Sequence, residues 1–491
     1  MAAIPNDEPV YEDALGHFPL VSQVGNMLRT CHPPYVLGVC GAWGSGKTSF
    51  LRKLWAYQGG SFDVGEARGQ VKRQREQRQK WFGQGYQEPV PPREKNGCHV
   101  IWFNPWQHQF EDTPLIALLH TIRQHLSFLH RAMDETGKLM HVATHALLNT
   151  ANEYAKALKL PLPVPSATGI QERGQAYEAG RLDTPLFSQR FRDFFEQALA
   201  AVIGPEGRMI IFIDDLDRCE GEVAYRLLEA LKLHLNVRNC VYVLGLDQVH
   251  LEESIARVLS GGEAPRLYRP LAREYLGKMF QSLFLLPVPE NTTSFMQTLL
   301  APDIAPYQNL LQQRFGLPKQ EWQVLLDTLD HNLPHNPRKI KSFLAAWKLH
   351  LNLLDVQQPT QPPLDWRLTL ILTYLGQFEE PLFRKIEEAP GFYSDEVVRF
   401  CRDGSSPHPL FDGLERPYGA TAAMAEATGG LEAPPSSAAA PSTSDSTPAA
   451  ASPVPRVFWI SRLVNTLSSQ GVFVDAARLR CHLVRTGGAL P

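Results

Sequence analysis

The length, composition and charge of this chain exclude several broad classes of protein. Its 491 residues are enough for two to four domains, and the share of charged residues, 20%, is that of ordinary globular proteins. The formal net charge of -3 provides no overall field for nucleic acid or membranes, and the seven cysteines, an odd number without a C-x-x-C pair, argue for a reducing compartment and against a zinc site.

The chain begins with an acidic stretch and a predicted helix. Residues 1–16 lack the apolar core of a signal peptide, so we expect a cytoplasmic protein. Between residues 15 and 28, leucine, valine and phenylalanine recur at roughly helical spacing. We therefore expect a lead-in helix that packs on the domain that follows.

A strand, a glycine-rich loop and a helix come next, in the order that a Walker A phosphate loop requires. The apolar run from Tyr35 to Cys40 predicts a buried strand, and residues 41–48, GAWGSGKT, satisfy the pattern G-x-x-x-x-G-K-[ST] in full. After the loop, Phe50, Leu51 and Leu54 recur at helical spacing. The correct flanks on both sides argue against an accidental match in a glycine-rich turn.

The residue types in this loop suit the binding of ATP with Mg²⁺. Glycines let backbone N–H groups turn toward a phosphate, and the new helix directs its positive end at the anion. Lys47 can reach the β- and γ-phosphates, and the Thr48 hydroxyl can ligate Mg²⁺. The residues expected to contact the nucleotide are Gly41, Ala42, Trp43, Gly44, Ser45, Gly46, Lys47, Thr48 and Ser49.

Residues 58–97 interrupt this pattern with a basic insertion. The stretch from Arg68 to Lys80 carries six basic residues against one Glu, and Trp81, Phe82 and Tyr86 follow it. One interpretation is a nucleic-acid contact, in which Lys and Arg bind phosphates and the aromatic rings stack on bases. The other, which we favour, is a solvated and partly disordered helical insertion.

A second strand and further helices are predicted before the next motif. The run CHVIWF at residues 98–103 predicts a core strand that ends before Pro105, and helical patterning resumes near Pro114. A helical insertion is expected at about residues 130–185, followed by a helix over residues 186–202 whose phenylalanines pack in the core.

The apolar run at residues 209–213 predicts a strand that ends in two carboxylates, as a Walker B strand does. In the sequence RMIIFIDDLD, Asp214 would hold the Mg²⁺ shell and Asp215 would polarise the attacking water. A helix is predicted over residues 223–235, and an apolar strand over residues 241–246 follows it. Downstream of a full Walker A pattern, this pair of carboxylates is a strong signal for a nucleotide-binding domain.

The alternation of strands and helices predicts an α/β fold with a doubly wound, mainly parallel sheet. A last apolar run, residues 283–288, adds another strand. The order of the motifs fits the additional-strand group of P-loop ATPases. In that group the polar residue that ends the strand after Walker B contacts the γ-phosphate or its water, which makes Asp247 a sensor candidate; the alternative is an N-cap of the following helix.

The pattern changes after residue 290, and four regions are predicted in all. They are a nucleotide-binding core at residues 1–290, a C-terminal helical lid at 291–416, a disordered linker rich in Ala, Pro and Ser at 417–455, and a short segment at 456–491. The last segment contains an amphipathic helix that either docks back on the chain or binds a partner.

Taken together, these motifs resemble the KAP family of P-loop NTPases. The matching segments are spread across residues 11–350 and include GVCGAWGSGKTSFL, IWFNPWQH, IIFIDDLDRCE, VYVLGLDQVHL, EYLGKMFQSLFLLPVP and HNPRKIKSFLAAW. The extended Walker B segment, in which Asp217, Arg218 and Cys219 follow the two carboxylates, is the most specific of them.

The resemblance implies an ATP-driven molecular switch, and bacterial members of the family often occur in defence clusters that act against phages or plasmids. It implies that Arg338, in the turn that opens the lid, touches the γ-phosphate as arginine fingers do; the alternative is a surface arginine at a helix start. Arg218 is either such a finger or a lock on the Walker B loop through Asp217. Lys278 matches a family position whose role does not follow from the residues.

Many family members carry transmembrane helices inside the NTPase domain, and this sequence departs from them. No apolar run reaches the roughly 18 residues that a spanning helix needs, so no transmembrane segment is expected. The insertions found here are basic or mixed in composition instead.

Three functions remain open on the sequence. The first is a Mg²⁺-dependent ATPase that couples its nucleotide state to self-association or protein partners; Asp215 is one methylene shorter than the more usual Glu, so we expect slow hydrolysis. The second is a nucleotide-gated scaffold with little hydrolysis, and the third is direct action on nucleic acid through residues 68–80. No N-K-x-D guanine-reading motif is present, which favours ATP over GTP.

Overall fold

A computed structural model describes the chain in five stretches. These are residues 11–131, 192–300, 311–357, 365–416 and 456–479, apart from gaps at residues 12, 63–69, 84, 92–96, 111–113, 194, 197–198, 201–202, 234–235, 263–264, 314, 316, 318–321, 470–473 and 475–478. The helical insertion expected beyond residue 131 and the linker expected at 417–455 lie outside the described residues. The described chain forms two compact units: residues up to 43 with 47–286, and residues 44–46 with those beyond 286.

The first unit is built on a five-stranded parallel sheet with the order β2-β3-β4-β1-β5. Its strands are β1 (Tyr35–Cys40), β2 (Cys98–Phe103), β3 (Arg208–Ile213), β4 (Cys240–Leu246) and β5 (Ser282–Leu285). β4 therefore lies between the strand that leads to the Walker A loop and the strand that ends in the Walker B carboxylates. This order confirms the predicted α/β fold of the additional-strand type.

Helices cover both faces of this sheet, as the doubly wound fold requires. They are α1 (Phe18–Thr30), α2 (Lys47–Tyr57), α3 (Gln70–Phe82), α4 (Pro114–Arg131), α5 (Gly221–Leu233), α6 (Gln248–Leu259) and α7 (Pro265–Met279). Because side chains alternate along a strand, Ile211 and Ile213 belong to one core, with α4 to α7, whereas Ile210 and Phe212 belong to the other, with α1 and α2. The three central strands, β3, β4 and β1, are thus buried on both faces, whereas the edge strand β5 leaves Leu283 and Leu285 exposed.

The last strand of the sheet is shorter than predicted. It ends at Leu285 instead of residue 288, although the Leu286 N–H still donates to the Cys40 carbonyl at 2.8 Å. Pro287 and Pro289 follow, and proline has no N–H to continue a ladder.

The aromatic residues of the basic insertion pack against the first unit. Trp81 stacks on Tyr11 with ring centroids 5.9 Å apart, and Phe82 lies edge-on to Tyr57 at 4.9 Å. The Tyr86 hydroxyl donates to the Tyr57 carbonyl at 2.9 Å. Tyr86 is buried, whereas Trp81 and Phe82 are half-buried and pack on the protein's own aromatic side chains. These contacts do not favour stacking on bases, and the nucleic-acid interpretation stays a prediction.

The basic residues of α3 do not share one environment. Arg78 is buried, and its guanidinium lies 2.9 Å from Glu88. Lys72, Arg75 and Lys80 are exposed. The helix predicted by the favoured interpretation is present, but one of its faces belongs to the folded core.

The described part of the second unit is mostly helical. Its helices are α8 (Thr293–Leu300), α9 (Trp322–Asn332), α10 (Pro337–Gln357), α11 (Trp366–Phe378), α12 (Glu380–Glu388), α13 (Val398–Asp403) and α14 (Ser461–Ser469). A two-stranded parallel pair, Leu414–Glu415 with Arg456–Val457, joins the two sides of the predicted linker. Among the described residues, no helix is long and apolar enough to cross a membrane.

The C-terminal helix docks back on this unit. The Leu463 N–H donates to Asn332 Oδ1 at 2.9 Å, and the Trp459 N–H donates to the Tyr374 hydroxyl at 3.2 Å. Several apolar side chains of this helix and of the residues just before it are buried, among them Phe458 and Leu463. Of the two alternatives for this segment, docking on the chain itself is the one observed.

Candidate nucleotide-binding site

The ammonium group of Lys47 lies among oxygen atoms at the start of α2. It donates to the carbonyls of Gly41 at 2.8 Å and Ala42 at 3.3 Å, and it lies 3.6 Å from Oδ2 of Asp217. Two of these three acceptors are neutral carbonyls, and a phosphate oxygen is a stronger acceptor for an ammonium group. The loop carbonyls can therefore give way to a phosphate without leaving a charge unpaired.

The start of the loop is tied to the sheet. The Gly41 N–H donates to the carbonyl of Leu246, the last residue of β4, at 3.2 Å. Trp43 follows, and 55% of its surface is exposed. Ser49 lies in the first turn of α2, after Lys47 and Thr48.

Residues 44–46 of the loop belong to the second unit, together with Arg338. Gly44 and Gly46 have φ of +81° and +94°, the left-handed region that glycine adopts at little cost. The Arg338 N–H donates to the Gly44 carbonyl at 3.3 Å, and a Cβ on Gly44 would lie 2.7 Å from both Arg338 Cβ and Asn336 Oδ1. The Ser45 Oγ is buried without a hydrogen-bond partner.

Asp214 and Thr48 meet at the end of β3. The Thr48 hydroxyl donates to the Asp214 carboxylate, which is only 3% exposed. Burial, with a smaller contribution from the charge of Asp215, raises the pKa of Asp214 to about 6. Gly245 on β4 makes room for this carboxylate, because a Cβ there would lie 2.8 Å from Asp214 Oδ1.

Asp215 has a left-handed backbone and two side-chain partners. Its φ of 60° and ψ of 30° place it in a region that few residues other than glycine, asparagine and aspartate enter. Asn104 Nδ2 donates to Oδ2 at 2.9 Å, and Arg218 Nε lies 2.8 Å from Oδ1. Arg218 therefore pairs with Asp215, and the predicted pairing with Asp217 is wrong.

Asp217 takes a position that sequence reasoning missed as part of the site. Besides its ion pair with Lys47, its Oδ2 accepts the N–H of Asp247 at 2.9 Å. Its side chain is buried, with 8% of the residue exposed. Through these two contacts, Asp217 connects the turn after the Walker B strand to the Walker A lysine and to the residue that follows β4. The available signal was the spacing DDLD, which puts a third carboxylate one short turn beyond the strand.

Two further residues singled out from the sequence, Asp247 and Lys278, use their side chains for contacts outside the group formed by Lys47, Thr48, Asp214 and Asp217. The Asp247 carboxylate accepts the N–H of His250 at 3.3 Å, which is the N-cap given as the alternative to a sensor. Lys278 is exposed and pairs with Glu274 at 2.6 Å on the same helix.

The donor set fits a nucleotide and a hard divalent cation. Mg²⁺ takes oxygen ligands, usually one or two carboxylates with waters and phosphate oxygens, and the Thr48 hydroxyl and Asp214 supply that chemistry side by side. Lys47 supplies the cationic donor for phosphate, and the unpartnered Ser45 hydroxyl adds a polar atom to the same loop.

A comparison with models of known protein families agrees with this geometry. The model described as the KAP family P-loop domain matches residues 19–354, which is more than half of the chain. None of the curated proteins compared with the chain is significantly similar to it. The matched range includes Lys47, Asp214, Asp247 and Arg338. The chain therefore belongs to the KAP family of P-loop NTPases.

Proposed function

We propose that the protein binds ATP with Mg²⁺, hydrolyses it slowly and uses its nucleotide state to control self-association or the binding of protein partners. One observation carries the proposal. Lys47 of the Walker A helix contacts Asp217 beyond the Walker B strand, and the same carboxylate holds the N–H of Asp247. A phosphate that draws Lys47 away from Asp217 would therefore change the contacts of the turn after the Walker B strand and of Asp247, which follows β4.

Each residue of the group has a proposed role. Lys47 binds the β- and γ-phosphates, while Thr48 and Asp214 hold the cation; when bound, Mg²⁺ neutralises charge on the phosphate oxygens. Asp215 accepts the proton of the attacking water as a general base. Arg338 stabilises charge on the γ-phosphate, and its backbone contact with Gly44 supports that proposal. Asp247 senses the γ-phosphate beside its observed capping role.

The biological setting is proposed on the resemblance of the motifs alone. Family members in bacteria occur in defence clusters, so we propose defence against phages or mobile elements as the process that this switch serves. We also propose a cytoplasmic location, which is supported by the described cysteines, none of which forms a disulfide.

Steady-state phosphate release tests the proposal. Wild type should turn over ATP only with Mg²⁺, and Lys47→Ala should remove both ATP binding and turnover. The matched control is Lys385→Ala, since Lys385 is an exposed lysine of the second unit that pairs with Glu388. ATP binding without turnover in wild type would favour the alternative, a nucleotide-gated scaffold. Equal turnover of GTP would remove the preference for ATP.

A nucleic-acid role remains the third candidate, because one face of α3 is basic and exposed. We expect binding through this face to depend mainly on charge, since the nearby rings of Trp81 and Phe82 are half-buried and pack on other aromatic side chains. The triple variant Lys72→Glu, Arg75→Glu, Lys80→Glu should abolish any salt-sensitive binding to DNA or RNA. Unchanged binding by this variant would remove α3 from consideration.

A further inference from the structure

We propose that Asn104 and Arg218 hold the carboxylate of Asp215 in a resting position and thereby keep the basal rate of hydrolysis low. We call these two residues the Asp215 clamp. The inference rests on the proposed function, because Asp215 is the residue to which activation of water is assigned. Both members act through Asp215 and are positioning residues rather than catalytic residues.

Each oxygen of the Asp215 carboxylate is engaged by a different side chain. Oδ2 accepts from Asn104 Nδ2 at 2.9 Å, and Oδ1 lies 2.8 Å from Arg218 Nε. Only 16% of this side chain is exposed. A general base must offer an oxygen to the water that it activates, and the two donors compete with water for the same lone pairs.

The amide of Asn104 has only one orientation that satisfies its neighbours. Asn104 follows β2 directly, and the register pairs Phe103 with Ile213, so Asn104 lies next to the turn that begins after β3. Its Oδ1 accepts the N–H of Trp106 at 3.0 Å, which caps the short 3-10 helix Pro105–His108. With the oxygen engaged there, the NH₂ group faces Asp215.

Two indole rings flank the guanidinium of Arg218. Its Cζ lies 5.6 Å from the ring centroid of Trp43 and 5.5 Å from that of Trp106, within the range of cation–π attraction. The backbone closes the same turn, because the Arg218 N–H donates to the Asp215 carbonyl at 3.2 Å. Arg218 is thus restrained by its carboxylate partner and by rings from two other segments.

The clamp is in contact with the loop that binds phosphate. Trp43 is part of the Walker A loop, and Trp106 lies two residues after Asn104, in the short helix that Asn104 caps. A change in the loop that moves Trp43 removes one of the two rings beside Arg218. Release of either Arg218 or Asn104 leaves one Asp215 oxygen open to water, so loosening of the clamp should raise kcat while nucleotide affinity stays the same.

The test uses two single variants of the full chain, each of which spares the local fold. Asn104→Ser keeps a capping oxygen for the Trp106 N–H but is too short to reach Asp215. Arg218→Met keeps an unbranched side chain between the rings without the charge. Arg226→Met is the matched control, since Arg226 is an exposed arginine that pairs with Glu222 on α5. Mg²⁺-ATP turnover, the dissociation constant for ATP and the melting temperature are measured for each.

Both clamp variants should raise kcat about tenfold, the factor that corresponds to one hydrogen bond to a charged group, with the ATP dissociation constant unchanged. The gain should disappear when Asp215→Asn is added, a result that a merely structural role would not produce. Turnover in the clamp variants but not in wild type would also support the proposal. Unchanged or lower kcat in folded variants, beside an active wild type, would overturn the clamp alone. ATP binding without turnover in every protein would overturn the proposed hydrolysis as well.

Discussion

Two adjacent aspartates, Asp214 and Asp215, have different environments because of the backbone between them. Asp214 ends an extended strand and is buried against Thr48, whereas Asp215 has φ of 60° and turns its side chain toward Asn104 and Arg218. The Asp214 carboxylate, beside the Thr48 hydroxyl, is placed to bind a cation. The Asp215 carboxylate is held by two hydrogen-bond donors, and loss of either donor would free one of its oxygens. The division of labour that we propose, with Asp214 as cation ligand and Asp215 as general base, thus depends on one left-handed residue.

The close approach of β4 to Asp214 gives a prediction for Gly245→Ala. The new Cβ would lie 2.5 Å from Leu51 Cδ1 and 2.8 Å from Asp214 Oδ1, so either the strand or the carboxylate must shift. We expect a loss of about 1–3 kcal/mol in the free energy of unfolding, measured by urea denaturation, together with weaker Mg²⁺-dependent ATP binding.

The control for this variant is Gly277→Ala. Gly277 lies within α7, and a Cβ there would meet no atom within 4 Å. Because alanine is the better helix former, this variant should be more stable than wild type by about 0.5–1 kcal/mol. Equal stability of Gly245→Ala and wild type would show that the site tolerates displacement of Asp214.

Buried His99 gives a prediction for the dependence of stability on pH. Burial, followed by the charge of His125, lowers the pKa of His99 to about 4, and neither ring nitrogen of His99 has a hydrogen-bond partner. In the unfolded chain His99 is protonated below about pH 6.5, whereas in the folded chain it is protonated only below about pH 4. Stability is therefore lost as the pH falls through this window, by about 2 kcal/mol between pH 7 and pH 5 from this group.

The variant His99→Leu tests that assignment. It removes two buried unpartnered nitrogens, so stability at pH 7 should be equal to or above that of wild type. The loss between pH 7 and pH 5 should shrink but not vanish, because the pKa of His17 is also lowered to about 4, mainly by burial. An unchanged loss, measured by urea denaturation at both pH values, would contradict the assignment.

Residue-level contacts were the part that the sequence could not determine. Asp215 and Asp217 are both close to Arg218 in the chain, and only the left-handed backbone at Asp215 selects between them. The link between Asp217 and Asp247 spans 30 residues and depends on strand order. The Walker A and Walker B residues were predicted from short motifs, because phosphate and Mg²⁺ binding require those residue types at those spacings, and their roles stay predictions.

At the scale of elements, apolar runs located the strands well. Residues 35–40 and 98–103 were predicted as strands and are strands with the same ends, whereas the strand predicted at residues 209–213 begins one residue earlier, at Arg208. Buried parallel strands have apolar side chains on both faces, so a run without alternation marks them. The docking of α3 did not follow from sequence, because its aromatic partners, Tyr11 and Tyr57, lie far from it in the chain.

The packing of α3 predicts that Phe82→Ala is destabilising. Phe82 lies between Phe18 at 5.2 Å, Tyr57 at 4.9 Å and Tyr86 at 5.3 Å, measured between ring centroids. Loss of the ring should cost about 3 kcal/mol in the free energy of unfolding.

The control on the same helix is Val71→Ala, because Val71 is 66% exposed. This substitution should lower the free energy of unfolding by less than about 0.5 kcal/mol. Similar small losses for both variants would mean that α3 does not belong to the folded core. Thermal and urea denaturation of the full chain provide the comparison.

For the whole molecule, the order of strands in one sheet explains why chain-distant groups meet. β4 separates β1 from β3, and both outer strands of this trio end at the same edge as β4. Lys47, Asp217 and Asp247 therefore come together from three segments. All three segments lie within the range that matches the KAP family, while the activity and its trigger are proposals about this chain.

Single-turnover phosphate release by wild type and Asp215→Asn, with protein in excess over Mg²⁺-ATP, tests the central claim most directly. Asparagine is nearly isosteric with aspartate but is a poor base, so ATP binding should be retained. We predict equal ATP affinity and phosphate release at least about 100-fold slower in the variant, the usual contribution of a general base. Equal rates of phosphate release in the two proteins would contradict the assignment of water activation to Asp215.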